Sequence, residues 1–142
     1  MINCSFIGRG KDCNLSEIIP YYQSKGVRCW QKGDTISKKN KWVAKDSGIR
    51  FDVCSFKTFS AAKHIDLLEK KMVKFLKTHK RIFRDLKECG AEKLYFDVGI
   101  FEEKKTMVQL GFKGEVLKLI YDFGMDLEVT CYHLDYFWRS KR

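Results

Sequence analysis

The sequence predicts an α+β domain: a mainly antiparallel sheet with helices packed on one face. Three observations carry that prediction. Short apolar and β-branched runs, at Ile2–Gly8, Val27–Trp30, Glu92–Phe101 and Asp126–Leu134, are separated by glycine- and aspartate-bearing turns. The stretch from Ala61 to Gly90 has the repeat of a long amphipathic helix. Read in order, the segments run β-α-β-β-α-β-β-α-β, and the first six match the order of a ferredoxin-like split unit.

Ile2–Gly8 reads as a first strand, and Gly8 and Gly10 as the opening of a loop. Ser16 or Asn14 can cap a short helix that runs to about Lys25 and stops at Gly26, with Pro20 near its first turn. Val27–Trp30 is a second strand, and Lys32-Gly33-Asp34 turns the chain. Ser37–Lys41 is a cationic loop. Lys41–Ala44 and Ile49–Cys54 form one interrupted strand or a hairpin, with Asp46-Ser47-Gly48 as the turn.

In the long helix, Ile65, Leu68, Met72, Phe75, Leu76, His79, Ile82, Phe83 and Leu86 recur at steps of three and four, one dry face. Lys63, Lys70, Lys74, Lys77, Arg81 and Arg84 recur on the opposite side. Unbroken, it would be about 40 Å long, against roughly 30 Å for a domain of this size; a bend or break is expected near Thr78–Lys80. Asp66–Lys70, Arg81–Asp85 and Arg84–Glu88 have i,i+4 spacing on the wet side. Gly90 is a left-handed stop.

Glu92–Phe101 sets Leu94, Phe96, Val98 and Ile100 on one face and Tyr95, Asp97 and Gly99 on the other. After a charged turn at Glu102–Lys105, Met107–Phe112 reads as a strand. Gly114–Phe123 reads as a helix with Val116, Leu117, Ile120 and Tyr121 on its apolar side, stopped by Gly124. Asp126–Leu134 is the last strand, followed by a basic tail at 137–142.

The 142 residues predict a single domain over 1–142, with 44% apolar and 14% aromatic residues for its core. No apolar run is long enough to span a bilayer, and no basic segment followed by an apolar one opens the chain. A cytoplasmic protein without a membrane partner is therefore expected. The six cysteines include no C-x-x-C pair. Cys4, Cys29, Cys54 and Cys131 fall in strands among apolar neighbours, as free core thiols would.

The net charge is +10. Ala61–Gly90 holds nine Lys/Arg against four acids; further clusters lie at Lys38, Lys39 and Lys41 and at Arg139, Lys141 and Arg142. Such a field favours anionic partners. Lysine outnumbers arginine on the helix face, which weakens base-specific nucleic-acid recognition but leaves phosphate-backbone binding open.

Signals for chemistry are weak. Gly8-x-Gly10 precedes a helix but lacks the third glycine of a dinucleotide loop and reads as a turn. Cys131 and His133 share a strand face without a second ligand pair. His79, on an apolar helix face, reads as a packing residue, and His64 has no visible partner. No G-x-S-x-G, P-loop or H-E-x-x-H signature occurs; no catalytic residue, cofactor or metal is expected. Trp30-Gln31-Lys32-Gly33-Asp34 is the most distinctive element and reads as structural: Trp30 in the core, Gly33 in a turn, Asp34 on local amides. Trp42, in a cationic loop, has the character of an interface anchor.

Taken together, Ser5-Phe6-Ile7-Gly8 before Ser16-Glu17-Ile18-Ile19, the W-x-K-G-D element, Trp42, the long helix with central His79, Leu94–Val98 and Leu127–Tyr132 resemble a family of small bacterial domains of unknown function. The resemblance spans roughly residues 3–134. It implies no assigned reaction; similar domains are considered candidate immunity proteins of toxin systems, which bind and block a toxin. The functional expectation is a non-enzymatic protein-binding module for an acidic protein surface, contacted by Trp42, Lys63, Lys70, Lys74, Lys77, Arg81 and Arg84. The alternative is non-specific nucleic-acid binding through the lysine-rich helix.

Overall fold

In a computed structural model, which describes residues 1–57, 61–102 and 110–133 with backbone alone at 61–63, 102 and 133, strand β1 (Ile2–Gly10) is the centre of a five-stranded sheet. Ile2, Cys4 and Phe6 alternate along one face with Asn3, Ser5 and Ile7 on the other, as the pleat requires. The chain continues through α1 (Ile19–Ser24), β2 (Arg28–Trp30), a small hairpin of β3 (Thr35–Ser37) and β4 (Trp42–Val43), and β5 (Ser47–Phe56). It then runs through α2 (Ala61–Thr78), α3 (Lys80–Glu88), β6 (Lys93–Glu102), α4 (Gly114–Asp122) and β7 (Asp126–His133).

The sheet order is β2-β5-β1-β6-β7. Each of the first four strands in that order is antiparallel to its neighbour, and β6 and β7 are parallel, with α4 in the connection between them. β5 lies between β1 and β2, and β1 between β5 and β6, so the α1 connection and the α2–α3 connection each skip one strand, whereas α4 joins two neighbours.

The inward faces meet in one core. Phe6 is its hub, with ring centroids 5.2 Å from Phe75, 5.1 Å from Phe83 and 6.3 Å from Phe96. Leu68, Met72, Phe75 and Leu76 of α2 and Ile82, Phe83 and Leu86 of α3 are buried there, as are Leu94, Phe96, Val98 and Ile100 of β6. Tyr22 of α1 and Val116 and Ile120 of α4 join the same cluster. All four helices thus pack on one side of the sheet, and the other side faces outward.

The long helix breaks where its length demanded. His79 leaves helical geometry (φ −113°, ψ 35°), and Thr78 Oγ1 donates back to the Lys74 carbonyl at 2.8 Å. The His79 ring stacks on Phe75 at 4.3 Å. α3 closes at Gly90 (φ +84°), where the Gly90 and Ala91 amides bond the Lys87 and Leu86 carbonyls. The same pair of bonds ends α1 at Gly26 and α4 at Gly124.

Several expectations are corrected. The element order differs, because the chain adds β3 and β4 and splits the long helix. Gly8 and Gly10 do not open a loop; they extend β1, and a Cβ on Gly8 would lie 2.4 Å from Leu86 Cδ1, so α3 needs that absence of a side chain to approach the sheet. Trp42–Val43 pairs with Thr35–Ser37 rather than with the 49–54 segment, and Ser47 and Gly48 belong to β5 instead of a turn. Asn14 does not cap α1; its Oδ1 accepts from the Ser16 amide and hydroxyl in the preceding turn. Leu117 and Tyr121 are exposed, because α4 buries only the narrower stripe of Val116 and Ile120. Cys131 is exposed on β7. Residues 110–112 of the strand expected at Met107–Phe112 are not in a strand; 107–109 and the tail at 137–142 lie outside the described residues.

Candidate functional site

The turn after β2 is built from the W-x-K-G-D residues. The Gln31 amide donates to Asp34 Oδ2 at 2.7 Å, the Asp34 amide to the Gln31 carbonyl at 2.9 Å, and the Lys32 amide to Ser47 Oγ at 2.9 Å. The Gly33 amide and the Asp34 carbonyl then bond Ala44, which ties the start of the β3–β4 hairpin to its end. Trp30 is not in the core. It is half-buried on the outward face of the sheet, above Gly48, where a Cβ would sit 2.3 Å from its ring. Its Nε1 donates to Asp46 Oδ1 at 3.2 Å, and Arg9 Nε lies 3.1 Å from Asp46 Oδ2. One carboxylate therefore holds both Trp30 and Arg9.

This anchored turn projects the hairpin. Ile36, Trp42 and Val43 expose 65%, 63% and 51% of their surface, an apolar group on a two-stranded element too small to bury it. Beside them opens a cleft of about 890 Å³, lined among others by Arg9, Lys32, Lys41, Trp42 and Lys45. An apolar centre with a cationic rim is the composition of a protein-binding patch. The sequence singles out Trp42 of this exposed group; Ile36 and Val43 carry no such signal, because only the β3–β4 pairing gathers them.

The helical cations separate into two groups. Lys70, Lys74 and Lys77 line a groove of about 480 Å³ between α2 and α4. Asp66, expected to pair with Lys70, instead meets Lys113 at 3.0 Å and raises the pKa of that lysine by hydrogen bonding to it. Glu69 Oε2 accepts the Lys113 amide at 3.1 Å from a buried position, while its Oε1 has no partner among the described residues.

Arg81 faces elsewhere. It lies 3.4 Å from Asp85 and 4.6 Å over the Tyr21 ring, part of the contact between α1 and α3. Tyr22 donates to Asp85 at 2.7 Å, and burial, then that bond, pushes its pKa up. Arg84 is exposed, and no Arg84–Glu88 ion pair occurs. The Lys63 side chain lies outside the described residues. Trp42 and the lysines do not form one surface, since the helices pack on the inner side of the sheet and the Trp42 cleft includes Arg9 of the outer side.

Among the described residues no group of three His, Cys, Asp or Glu side chains gathers as metal ligands, and no helix is long and apolar enough to cross a membrane. His133, the expected companion of Cys131, has its side chain outside the described residues. No protein-family model, no curated protein and no solved structure matches the chain.

Proposed function

We propose that this chain is a protein-binding module, acting without catalysis, that engages an acidic protein surface through the hairpin face around Trp42. The observation that carries the reading is the exposed trio Ile36, Trp42 and Val43, rimmed by Lys32, Lys41 and Lys45. An apolar anchor supplies desolvation energy, and the cations steer an acidic partner and reject basic ones. The resemblance of the W-x-K-G-D element and its surroundings to bacterial domains considered as immunity proteins supports a toxin as that partner. The interleaving of β1, β2, β5 and β6 supports a ferredoxin-like reading of the first part of the fold.

Affinity purification from the native host tests this, with wild type, Trp42→Ala and the triple reversal Lys70→Glu/Lys74→Glu/Lys77→Glu. An acidic protein held by wild type in a stoichiometric complex and lost from Trp42→Ala is the expected result. Equal recovery of every protein by all three baits refutes the hairpin as the contact. Loss from the triple variant alone moves the contact to α2.

Exposed Lys70, Lys74 and Lys77, without ion pairs among the described residues, favour the second reading, non-specific nucleic-acid binding. Three phosphate contacts give a slope of log K against log salt of about −3 for a mixed duplex. Absence of binding at low salt removes it.

A further inference from the structure

We propose that the outward face of the sheet carries a binding site for a small-molecule phosphate monoester, built by Arg28 and Arg50. The β2–β5 register sets these two residues directly opposite each other. Like charges in that relation destabilise a sheet, and neither arginine has a carboxylate in ion-pair contact among the described residues. The pair is thus a standing repulsion that a bound anion would relieve.

The surroundings are built to hold such an anion. Arg50 is half-buried, and its Nε donates to Ser5 Oγ at 3.2 Å, with Ser5 itself only 2% exposed. That bond fixes the side chain while its two terminal nitrogens have no partner among the described residues, the fork that matches a phosphate edge. The cleft over the two arginines holds about 590 Å³ and is also lined by Arg9, Trp30, Tyr95 and Asp97; small-molecule sites span roughly 300–1,000 Å³. Trp30 and Arg9 are already held by Asp46, so two of its walls are fixed before binding.

Charge and shape narrow the ligand. A carboxylate brings one negative charge to two guanidiniums, whereas a phosphate monoester brings nearly two. Asp97 offers an acceptor for a hydroxyl, and the half-buried Trp30 offers a partly open ring, so the monoester is expected on a sugar or nucleoside rather than as the free ion. Asp34 and Asp97 at the same cleft oppose a continuous polyanion.

Calorimetric titration of the full chain with adenosine 5′-monophosphate, ribose 5-phosphate, inorganic phosphate, adenosine and a short mixed-sequence oligonucleotide tests the site. The expected result is saturable binding of one or both monoesters and none of adenosine. Arg28→Gln should weaken that binding about tenfold or more, the loss of one charged hydrogen-bonding group. Because the same change relieves the like-charge pair, it should raise the melting temperature of the unliganded protein by about 2 °C. Arg28 is exposed, so the substitution does not burden the core. Silence toward both monoesters, or equal binding by wild type and Arg28→Gln, overturns the proposal. Inorganic phosphate or the oligonucleotide binding more tightly than either monoester also overturns the small-molecule assignment.

Discussion

At the scale of single residues, the strongest constraints are polar groups shared between elements. Asp85 accepts the Tyr22 hydroxyl and pairs with Arg81, joining α1 to α3 at one carboxylate. Tyr22→Phe keeps the ring packing and removes one bond to a charged acceptor. It should lower unfolding free energy at neutral pH by about 1.5 kcal/mol, read from denaturant midpoints. Tyr22 also carries a pH signature. Its folded pKa is raised above the ordinary value of 10.0, so the native state holds the proton more tightly than the unfolded chain. The associated stability is complete below about pH 10 and falls as pH rises beyond it. The wild-type advantage over Tyr22→Phe should therefore shrink above pH 10 in paired alkaline unfolding curves; an unchanged gap would refute the assignment. None of this was legible in sequence, since Tyr22 and Asp85 are 63 residues apart.

At the scale of elements, periodicity predicted most of the helical architecture. Leu68, Met72, Phe75, Leu76, Ile82, Phe83 and Leu86 of the dry stripe are buried as their spacing required, but His79 is exposed, and the chain breaks there because an unbroken helix would overrun the sheet. The fate of α4 was less legible. Its apolar stripe is narrow, and it depends on α2 for a partner at its start, where Glu69 accepts the Lys113 amide. A carboxylate at that position favours the helix through both the bond and the dipole. Glu69→Ala should cost about 1 kcal/mol and speed amide hydrogen exchange in α4 relative to α3. Unchanged α4 protection would show that the contact contributes nothing to the helix. The hairpin was misread for a related reason: β3 and β4 are so short that their alternation carries no signal, and Lys41 at φ +54° makes a turn that no common turn dipeptide announced.

At the scale of the whole molecule, the +10 net charge acts on stability as well as on partners. Among the described residues only a few cations are paired, as in Arg9–Asp46, Lys93–Glu128 and Lys118–Asp122, and repulsion among unpaired cations opposes the compact state. Screening shortens its reach from about 10 Å at 0.1 M salt to about 3 Å at 1 M. The melting temperature should rise when sodium chloride is raised from low to high concentration. A fall would show that the ion pairs outweigh the repulsion. Local order was legible in the amino acids themselves, because a helix face or a strand's alternation is written within a few residues: the α+β class, the buried stripe of the long helix, its break, and the exposed lysines. Tertiary structure alone decided the parallel placing of β7, the hairpin that gathers Ile36, Trp42 and Val43, and the register that sets Arg28 against Arg50. Those outcomes depend on which distant strands pair and in what register, a choice made by the burial of the helix-covered face of the whole sheet rather than by any one segment.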